Sequence, residues 1–155
     1  MPAQGNGVVQ DGERSRLPPV MSCLEIAFRL GLATGAGLAI GLERELHHKA
    51  AGLRTHALVA LGTAAIMIVA VQMDKSASRV IQGLVTGIGF IGAGTILHSE
   101  GRIEGVTTAA SIWACTMIGI AAGAGYFVVL TVTLVLTVLV LGAGRIAERL
   151  LRTKM

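Results

Sequence analysis

Long apolar stretches alternate with short polar ones along most of this chain, and the alternation predicts its elements. A helix that crosses the hydrocarbon core of a bilayer needs about 20 apolar residues at 1.5 Å rise per residue. Windows that meet this requirement lie at residues 24–42, 56–73, 80–97, 107–124 and 126–146. All three prolines precede the first window, so no predicted helix contains a residue that lacks a backbone donor. We therefore predict an all-α membrane protein with five transmembrane helices.

The composition indicates the same environment. Hydrophobic residues make up 53% of the 155 residues, charged residues make up 14%, and the mean hydropathy is +0.72. A soluble domain of this size cannot enclose so much apolar surface, so the lipid bilayer is the first expected partner. The basic residues at the C-terminus suit anionic headgroups better than nucleic acid, and no nucleic-acid partner is expected.

The chain divides into three parts. Residues 1–20 are polar and aperiodic, and they lack the basic and apolar regions of a cleavable signal, so we predict a disordered tail. Met21 directly precedes the first window, and translation from it would make that tail a start-site extension. Residues 21–147 form the predicted five-helix domain, and residues 148–155 form a basic cytoplasmic tail.

Lys and Arg are unevenly distributed between the two ends of the predicted helices. The 43–54 and 98–105 connections and the C-terminus together carry eight of them, and the opposite side carries four. Cytoplasmic loops of membrane proteins carry the excess of Lys and Arg. The distribution predicts that the N-terminus lies outside and the C-terminus inside.

A short repeat links the first and third windows. Residues 31–37 read GLATGAG and residues 83–89 read GLVTGIG, so five of seven positions are identical at an offset of 52. We interpret this as two tandem helical hairpins, helices 1–2 and helices 3–4, with a peripheral fifth helix. The alternative is an accidental similarity between two glycine-rich helices.

Glycines spaced four residues apart predict close helix packing, because small residues on one face let backbones approach in lipid. This spacing predicts that helices 1, 3 and 4 form the tight centre, and the bulky helix 5 meets lipid or a partner. The alternative is that these glycines line a permeation path. The predicted packing glycines are Gly31, Gly35, Gly37, Gly41, Gly83, Gly87, Gly89, Gly92 and Gly94.

Charged residues near the membrane are the candidate functional residues, because an ionisable group in hydrocarbon persists only with a partner or a role. Glu25 and Arg29 are four residues apart and predict an intramembrane or interfacial ion pair. In the 43–56 segment, Glu43 and Glu45 could bind Mg²⁺, which takes one or two carboxylates and retains waters. The alternative for that segment is a solvated turn at the headgroups.

The N-termini of helices 2 and 4 both belong to the predicted cytoplasmic side and could bind an anion. Their simplest occupants are internal, with Glu43 or Glu45 capping helix 2 and Thr107 or its neighbour capping helix 4. The predicted polar or cation-binding face comprises Glu43, Arg44, Glu45, Arg54, Thr55, His56, Thr107 and Thr108.

Three blocks carry a family resemblance: AGLRTHALVALGT at 51–63, GIGFIGAGTIL at 87–97 and GVTTAASIWA at 105–114. They resemble the MgtC/SapB family of bacterial inner-membrane proteins, over about residues 24–145. The resemblance implies magnesium homeostasis, with Mg²⁺ as ligand or substrate, and it gives particular weight to Glu43, Arg44, Arg54 and Thr55. The best-known members continue into a soluble cytoplasmic domain, so this chain resembles a short form.

The resemblance leaves two functions open. One is transport of Mg²⁺, which needs a hydrated path and a cation site. The other is a non-transporting regulator that binds another membrane complex, such as the F-type ATP synthase, and some members are linked to survival inside macrophages. We expect a homo-oligomer, no enzymatic activity and no cofactor, because no catalytic set of residues emerges from the sequence.

Overall fold

The computed structural model describes residues 21–73, 77–99 and 102–152. The predicted tail at 1–20 lies outside the described residues, as do residues 153–155. The helices are α1 (Cys23–Glu45), α2 (Leu53–Gln72), α3 (Ala77–Gly94), α4 (Val106–Ala124) and α5 (Phe127–Arg152). Between α3 and α4 lies an antiparallel pair of short strands, β1 (Leu97–Ser99) and β2 (Arg102–Glu104). The predicted all-α class with five helices is confirmed.

Local signals fix several helix ends. Ser22 precedes α1 and its hydroxyl accepts a hydrogen bond from the Glu25 amide at 3.2 Å, which is an ordinary N-cap. A glycine in the left-handed conformation lies at each end of α4, with φ of +89° at Gly105 and +83° at Gly125. Residues with a Cβ avoid this region, so the chain turns there because both positions are glycine.

Four helices are long and apolar enough to cross a membrane: α1, α2, α4 and the 127–144 part of α5. The third helix is 18 residues long, and Arg79, Gln82 and several glycines lower its hydropathy. Its course nevertheless follows from the contacts of its neighbours. His56 of α2 bonds to Ser111 of α4, and a Cβ on Gly123 would meet the Ala64 carbonyl.

The later residue of α2 contacts the later residue of α4 in these two pairs, so α2 and α4 are parallel. The chain must therefore return along the whole bundle between the end of α2 and the start of α4. The third helix makes this return, at 1.5 Å per residue over about 27 Å, and packs against α4 through Gly92 and Ala109.

The tight centre consists of α1, α2 and α4, so the prediction of helices 1, 3 and 4 is wrong. A Cβ on Gly37 would lie 2.5 Å from the His56 carbonyl oxygen, and one on Gly41 would lie 2.6 Å from the Leu53 Cα. Gly119 approaches Ala60 of α2 in the same way. The sequence reasoning weighed glycines alone, whereas α2 lines its contacts with alanines, whose single methyl group also permits close approach.

The predicted packing glycines accordingly fall into two groups. Gly37 and Gly41 touch α2, and Gly92 makes an ordinary contact with Ala109. The other members, within the described residues, have no atom of another helix within 4 Å of an added Cβ. These are Gly31, Gly35, Gly83, Gly87, Gly89 and Gly94.

The fifth helix is peripheral, as predicted. Among its residues with described side chains, only Leu130 and Leu141 are buried. The helix continues to Arg152, into the segment predicted as the basic tail. Most of its valines and leucines face outward from the bundle.

Candidate functional site

The last turn of α1 buries a charged pair. The Arg44 side chain is 3% exposed and that of Glu43 is 13% exposed. Arg44 Nε donates to Glu43 Oε2 at 2.5 Å, and Arg44 Nη2 donates to Oε1 at 3.0 Å, so the guanidinium holds both carboxylate oxygens. Such a pair tolerates burial because each charge is matched and hydrogen-bonded, whereas removing one partner strands the other. Neither residue lies in a solvated turn as the alternative interpretation held.

The turn after α1 leads directly into the N-terminus of α2. His47 places Nδ1 at 2.7 Å from the Glu43 carbonyl oxygen, and His48 has φ of +51°. The Leu53 amide donates to Glu45 Oε2 at 3.0 Å, so Glu45 caps the start of α2. Gly52 leaves room for this cap, because a Cβ there would displace the Glu45 carboxylate from its present position. Of the two glutamates predicted for this role, Glu45 fills it.

A buried histidine joins α2 to α4. His56 is fully buried, with Nδ1 at 2.9 Å from the Gly52 carbonyl oxygen and Nε2 at 3.0 Å from Ser111 Oγ. Ser111 Oγ also lies 2.8 Å from the Thr108 carbonyl oxygen. The Cys115 thiol donates to the His56 carbonyl at 3.1 Å. Two polar bridges, one from Ser111 and one from Cys115, therefore connect the parallel helices.

The network around His56 has fewer hydrogen-bond donors than acceptors. The Gly52 carbonyl can only accept, so Nδ1 of His56 carries a proton. The Ser111 hydroxyl has one proton, which it can give to the Thr108 carbonyl or to Nε2 of His56. A neutral imidazole takes that proton and releases Thr108, whereas an imidazole protonated on both nitrogens donates to Ser111 and leaves the Ser111–Thr108 bond in place.

Of the remaining predicted face residues, Thr108 joins this network through its carbonyl, whereas no hydrogen bond connects Arg54, Thr55 or Thr107 to it among the described residues. Arg54 and Thr107 are exposed, Thr55 is half-buried and Thr108 is buried. The residue that caps α4 is Gly105, which precedes Val106 and offers no side-chain cap, so the predicted cap by Thr107 or its neighbour is wrong. The turn from the β-hairpin places Gly105 in the left-handed conformation, where a Cβ would collide with the Thr95 carbonyl, so no Ser or Thr can occupy the capping position.

Metal ligands are sparse at this end of the bundle. Within the described residues no three His, Cys, Asp or Glu side chains converge on a common point. The predicted Mg²⁺ ligands Glu43 and Glu45 each engage a protein partner, Arg44 and the Leu53 amide respectively. Binding of Mg²⁺ by these two carboxylates stays a prediction.

The opposite end of the bundle contains the predicted pair of Glu25 and Arg29. Arg29 Nη2 lies 2.5 Å from Glu25 Oε1, and Nη1 donates to the Gly123 carbonyl at 2.7 Å. The guanidinium also lies 5.9 Å from the centre of the Phe127 ring. Arg29 therefore fastens α1 to the C-terminal end of α4 and the start of α5, a connection that the sequence did not predict.

Sequence reasoning missed Ser111, Gly52 and Cys115 as partners of His56. A signal for Ser111 exists in the sequence. Thr108 and Ser111 lie three residues apart in α4, which places two hydroxyls on one face. Such hydroxyls in a membrane helix favour a protein neighbour over lipid.

Comparison with known proteins gives one family. A model of the MgtC family matches residues 30–150. The chain is 43% identical over 127 residues to "Putative magnesium transporter YhiD" of Escherichia coli (strain K12), covering 76% of this chain and 59% of that protein. It is 43% identical over 106 residues to "Protein MgtC" of Brucella abortus (strain 2308), covering 67% and 42%.

A third relative is "Protein SrpB" of Synechococcus elongatus, which is 38% identical over 118 residues, covering 66% of this chain and 65% of that protein. The chain spans about half the length of the curated relatives that it matches. No solved structure matches it.

Proposed function

This chain belongs to the MgtC family and is a helical membrane protein, and from that premise we propose that it acts in magnesium homeostasis by handling Mg²⁺ at the polar end of its bundle. The observation that carries the proposal is the family match over residues 30–150, together with a relative named as a magnesium transporter. The proposed location is the bacterial inner membrane, with the N-terminus outside and the C-terminus inside.

The polar end supports a hydrated ion better than a dehydrated one. Mg²⁺ gives up its waters reluctantly and is usually held by one or two carboxylates with several waters retained. Glu45 is exposed, and one of its oxygens caps α2. In this proposal the other oxygen of Glu45 contacts a water of the hydrated ion, and Glu43 contributes negative charge from behind while Arg44 holds it in place.

Flux of Mg²⁺ into liposomes that contain the purified chain tests this proposal. The informative variant is Glu45→Gln, which keeps the shape and an acceptor oxygen for the α2 cap but removes the charge. Glu104→Gln is the matched control, because Glu104 is an exposed carboxylate beside the start of α4 that belongs to neither helix cap nor ion pair among the described residues. We expect a several-fold lower flux for Glu45→Gln and an unchanged flux for Glu104→Gln.

Glu43→Gln is a second variant, and it needs a separate check of folding. Loss of the Glu43 charge removes the carboxylate that holds the buried Arg44 guanidinium, which destabilises the bundle as well as any ion site. Absence of flux in the unaltered chain, under gradients and potentials of both signs, would reject transport.

The second candidate is a regulator that docks on another membrane complex. It is favoured by α5, whose outward residues include Val128, Val132, Val135, Leu136 and Val140. A helix with so little contact to its own bundle can meet either lipid or a partner helix. Polar substitutions such as Leu136→Asn would then damage growth in low Mg²⁺ while leaving the fold intact, and Glu45→Gln would have no effect.

A further inference from the structure

Within the described residues, α3 differs from α1, α2 and α4 because more than half of its residues are exposed. Within the described residues it buries Ile88 and Gly92 alone. Its open face, defined here as Gln82, Gly83, Thr86, Gly87 and Phe90, follows the spacing that places residues on one side of a helix. All five residues are exposed, and Phe90 is 86% exposed.

This face is poorly suited to lipid. Gln82 carries an amide and Thr86 a hydroxyl, and neither side chain forms a hydrogen bond among the described residues. Thr86 contrasts with Thr34, Thr63 and Thr116, which all donate to a backbone carbonyl in the preceding turn. Thr86 lies at the middle of α3, where hydrocarbon offers no hydrogen-bond partner.

The surface beside the open face is concave. A groove of about 390 Å³ runs between α2 and α3, and Gly83 and Gly87 form part of its wall opposite Gly62. An added Cβ on Gly83 or Gly87 would meet no atom within 4 Å, so the chain itself leaves room for another backbone along α3. An acyl chain could fill the groove but could not pair with Gln82 or Thr86.

We infer that the open face of α3 is the contact surface for a second copy of this chain, in a homodimer with a two-fold axis along the membrane normal. All copies insert with the same topology, so the two α3 helices are parallel. Each residue near the axis then faces its own counterpart. Gln82 suits this arrangement because one amide group can donate to the other and accept from it.

The geometry of this pairing follows from the glycines. Gly83 and Gly87 form a small-xxx-small motif, which lets parallel helices cross at about 40° with close backbone contact. Arg79 lies one turn before Gln82, near the end of α3. The two copies of Arg79 therefore diverge at the membrane surface, where their guanidinium groups reach water.

The chain offers its own labelling site for a test. It has two cysteines, of which Cys23 is exposed and Cys115 is buried. Separate batches labelled at Cys23 with donor or acceptor dye are mixed and reconstituted into liposomes, and energy transfer is followed as protein is diluted in lipid. Protection of Cys115 from the same reagent reports an intact core in every variant.

Gly87→Leu is the decisive variant, because a larger side chain meets open space in one chain but blocks close approach of two. Gly142→Leu is its matched control, since Gly142 of α5 is equally open. We expect Gly87→Leu and Gln82→Leu to weaken association roughly tenfold or more, and Gly142→Leu to leave it unchanged. Thr86→Cys should also form a disulfide-linked dimer, whereas Val135→Cys on α5 should not.

Energy transfer that vanishes on dilution for the unaltered chain would overturn the inference, and lipid or another protein would then cover α3. Dimers that persist undiminished in Gly87→Leu would also overturn it, because the contact would lie on another face.

Discussion

The GLATGAG segment of α1 and the GLVTGIG segment of α3 share five of seven residues but have different surroundings. Gly37 at the end of the first segment touches the backbone of His56 and Ala57, whereas its counterpart Gly89 has open space around it. Thr34 donates to the Leu30 carbonyl, and its counterpart Thr86 has no such bond. A small-residue motif therefore makes close packing available, and the topology decides which copy uses it.

The largest expected change in the free energy of unfolding distinguishes Gly37 from Gly89. Gly37→Leu forces a side chain into the backbone of α2, and we expect a loss of about 3 kcal/mol in the free energy of unfolding. Gly89→Leu meets open space, and we expect a change near zero. Unfolding in mixed micelles with increasing SDS measures both, and equal losses would mean that α1 and α3 are packed alike.

The next effect contrasts a paired hydroxyl with an unpaired one. Ser111→Ala removes the partner of His56 Nε2 inside the core, and we expect a loss of about 2 kcal/mol. Thr86→Ala removes a hydroxyl that has no hydrogen bond among the described residues of one chain, so the monomer should lose little. The same SDS titration, run at high dilution in micelles, distinguishes them. A Ser111→Ala protein as stable as the unaltered chain would contradict the His56 network.

A smaller effect compares the starts of α2 and α4. Glu45→Ala removes the side-chain cap of α2 and should cost about 1 kcal/mol. Thr107→Ala should cost almost nothing, because α4 has no side-chain cap. A larger loss for Thr107→Ala than for Glu45→Ala would show that the two caps are assigned wrongly.

The smallest expected effect is an increase in the free energy of unfolding. Gly31 lies in the shared part of the repeat, and an added Cβ there meets no atom within 4 Å. Gly31→Ala should raise the free energy of unfolding by about 0.5 kcal/mol, because alanine is the better helix former. A loss instead would indicate that another chain packs against this face of α1.

Much of the fold could be read from the sequence, because the apolar windows locate the helices to within a few residues and local caps and glycines set several of their ends. The predicted windows match the five helices closely, although the third begins at Ala77 rather than residue 80. The neighbours of each helix could not be read in this way. Glycines show that a helix can approach another, but Ala60 and Ala64 of α2 have the same four-residue spacing of small residues, and a search for glycines alone does not find it.

The sequence pointed to several of the charged residues at this end of the bundle, but not to the hydrogen bonds that connect the helices there. Glu43, Arg44 and Glu45 stand out because charges near a membrane need partners, and a cap by Glu43 or Glu45 followed from the position of α2. The bond between His56 and Ser111 joins residues 55 positions apart. It depends on the parallel course of α2 and α4, which local patterns do not contain.

That parallel course is the central claim, since it requires α3 to cross the whole bundle, and a disulfide tests it most directly. A Cβ on Gly123 would lie 2.8 Å from the Cβ of Met67 and 2.5 Å from the Ala64 carbonyl oxygen. A separation of the two helices by about 1 Å relieves the second contact and brings the first to the distance that a disulfide needs, so Met67→Cys with Gly123→Cys should form a bridge. The native cysteines are first replaced, and Met67→Cys with Ser111→Cys serves as the control. We predict a bridge for 67–123 and none for 67–111; a bridge for 67–111 alone would mean that α2 and α4 are antiparallel.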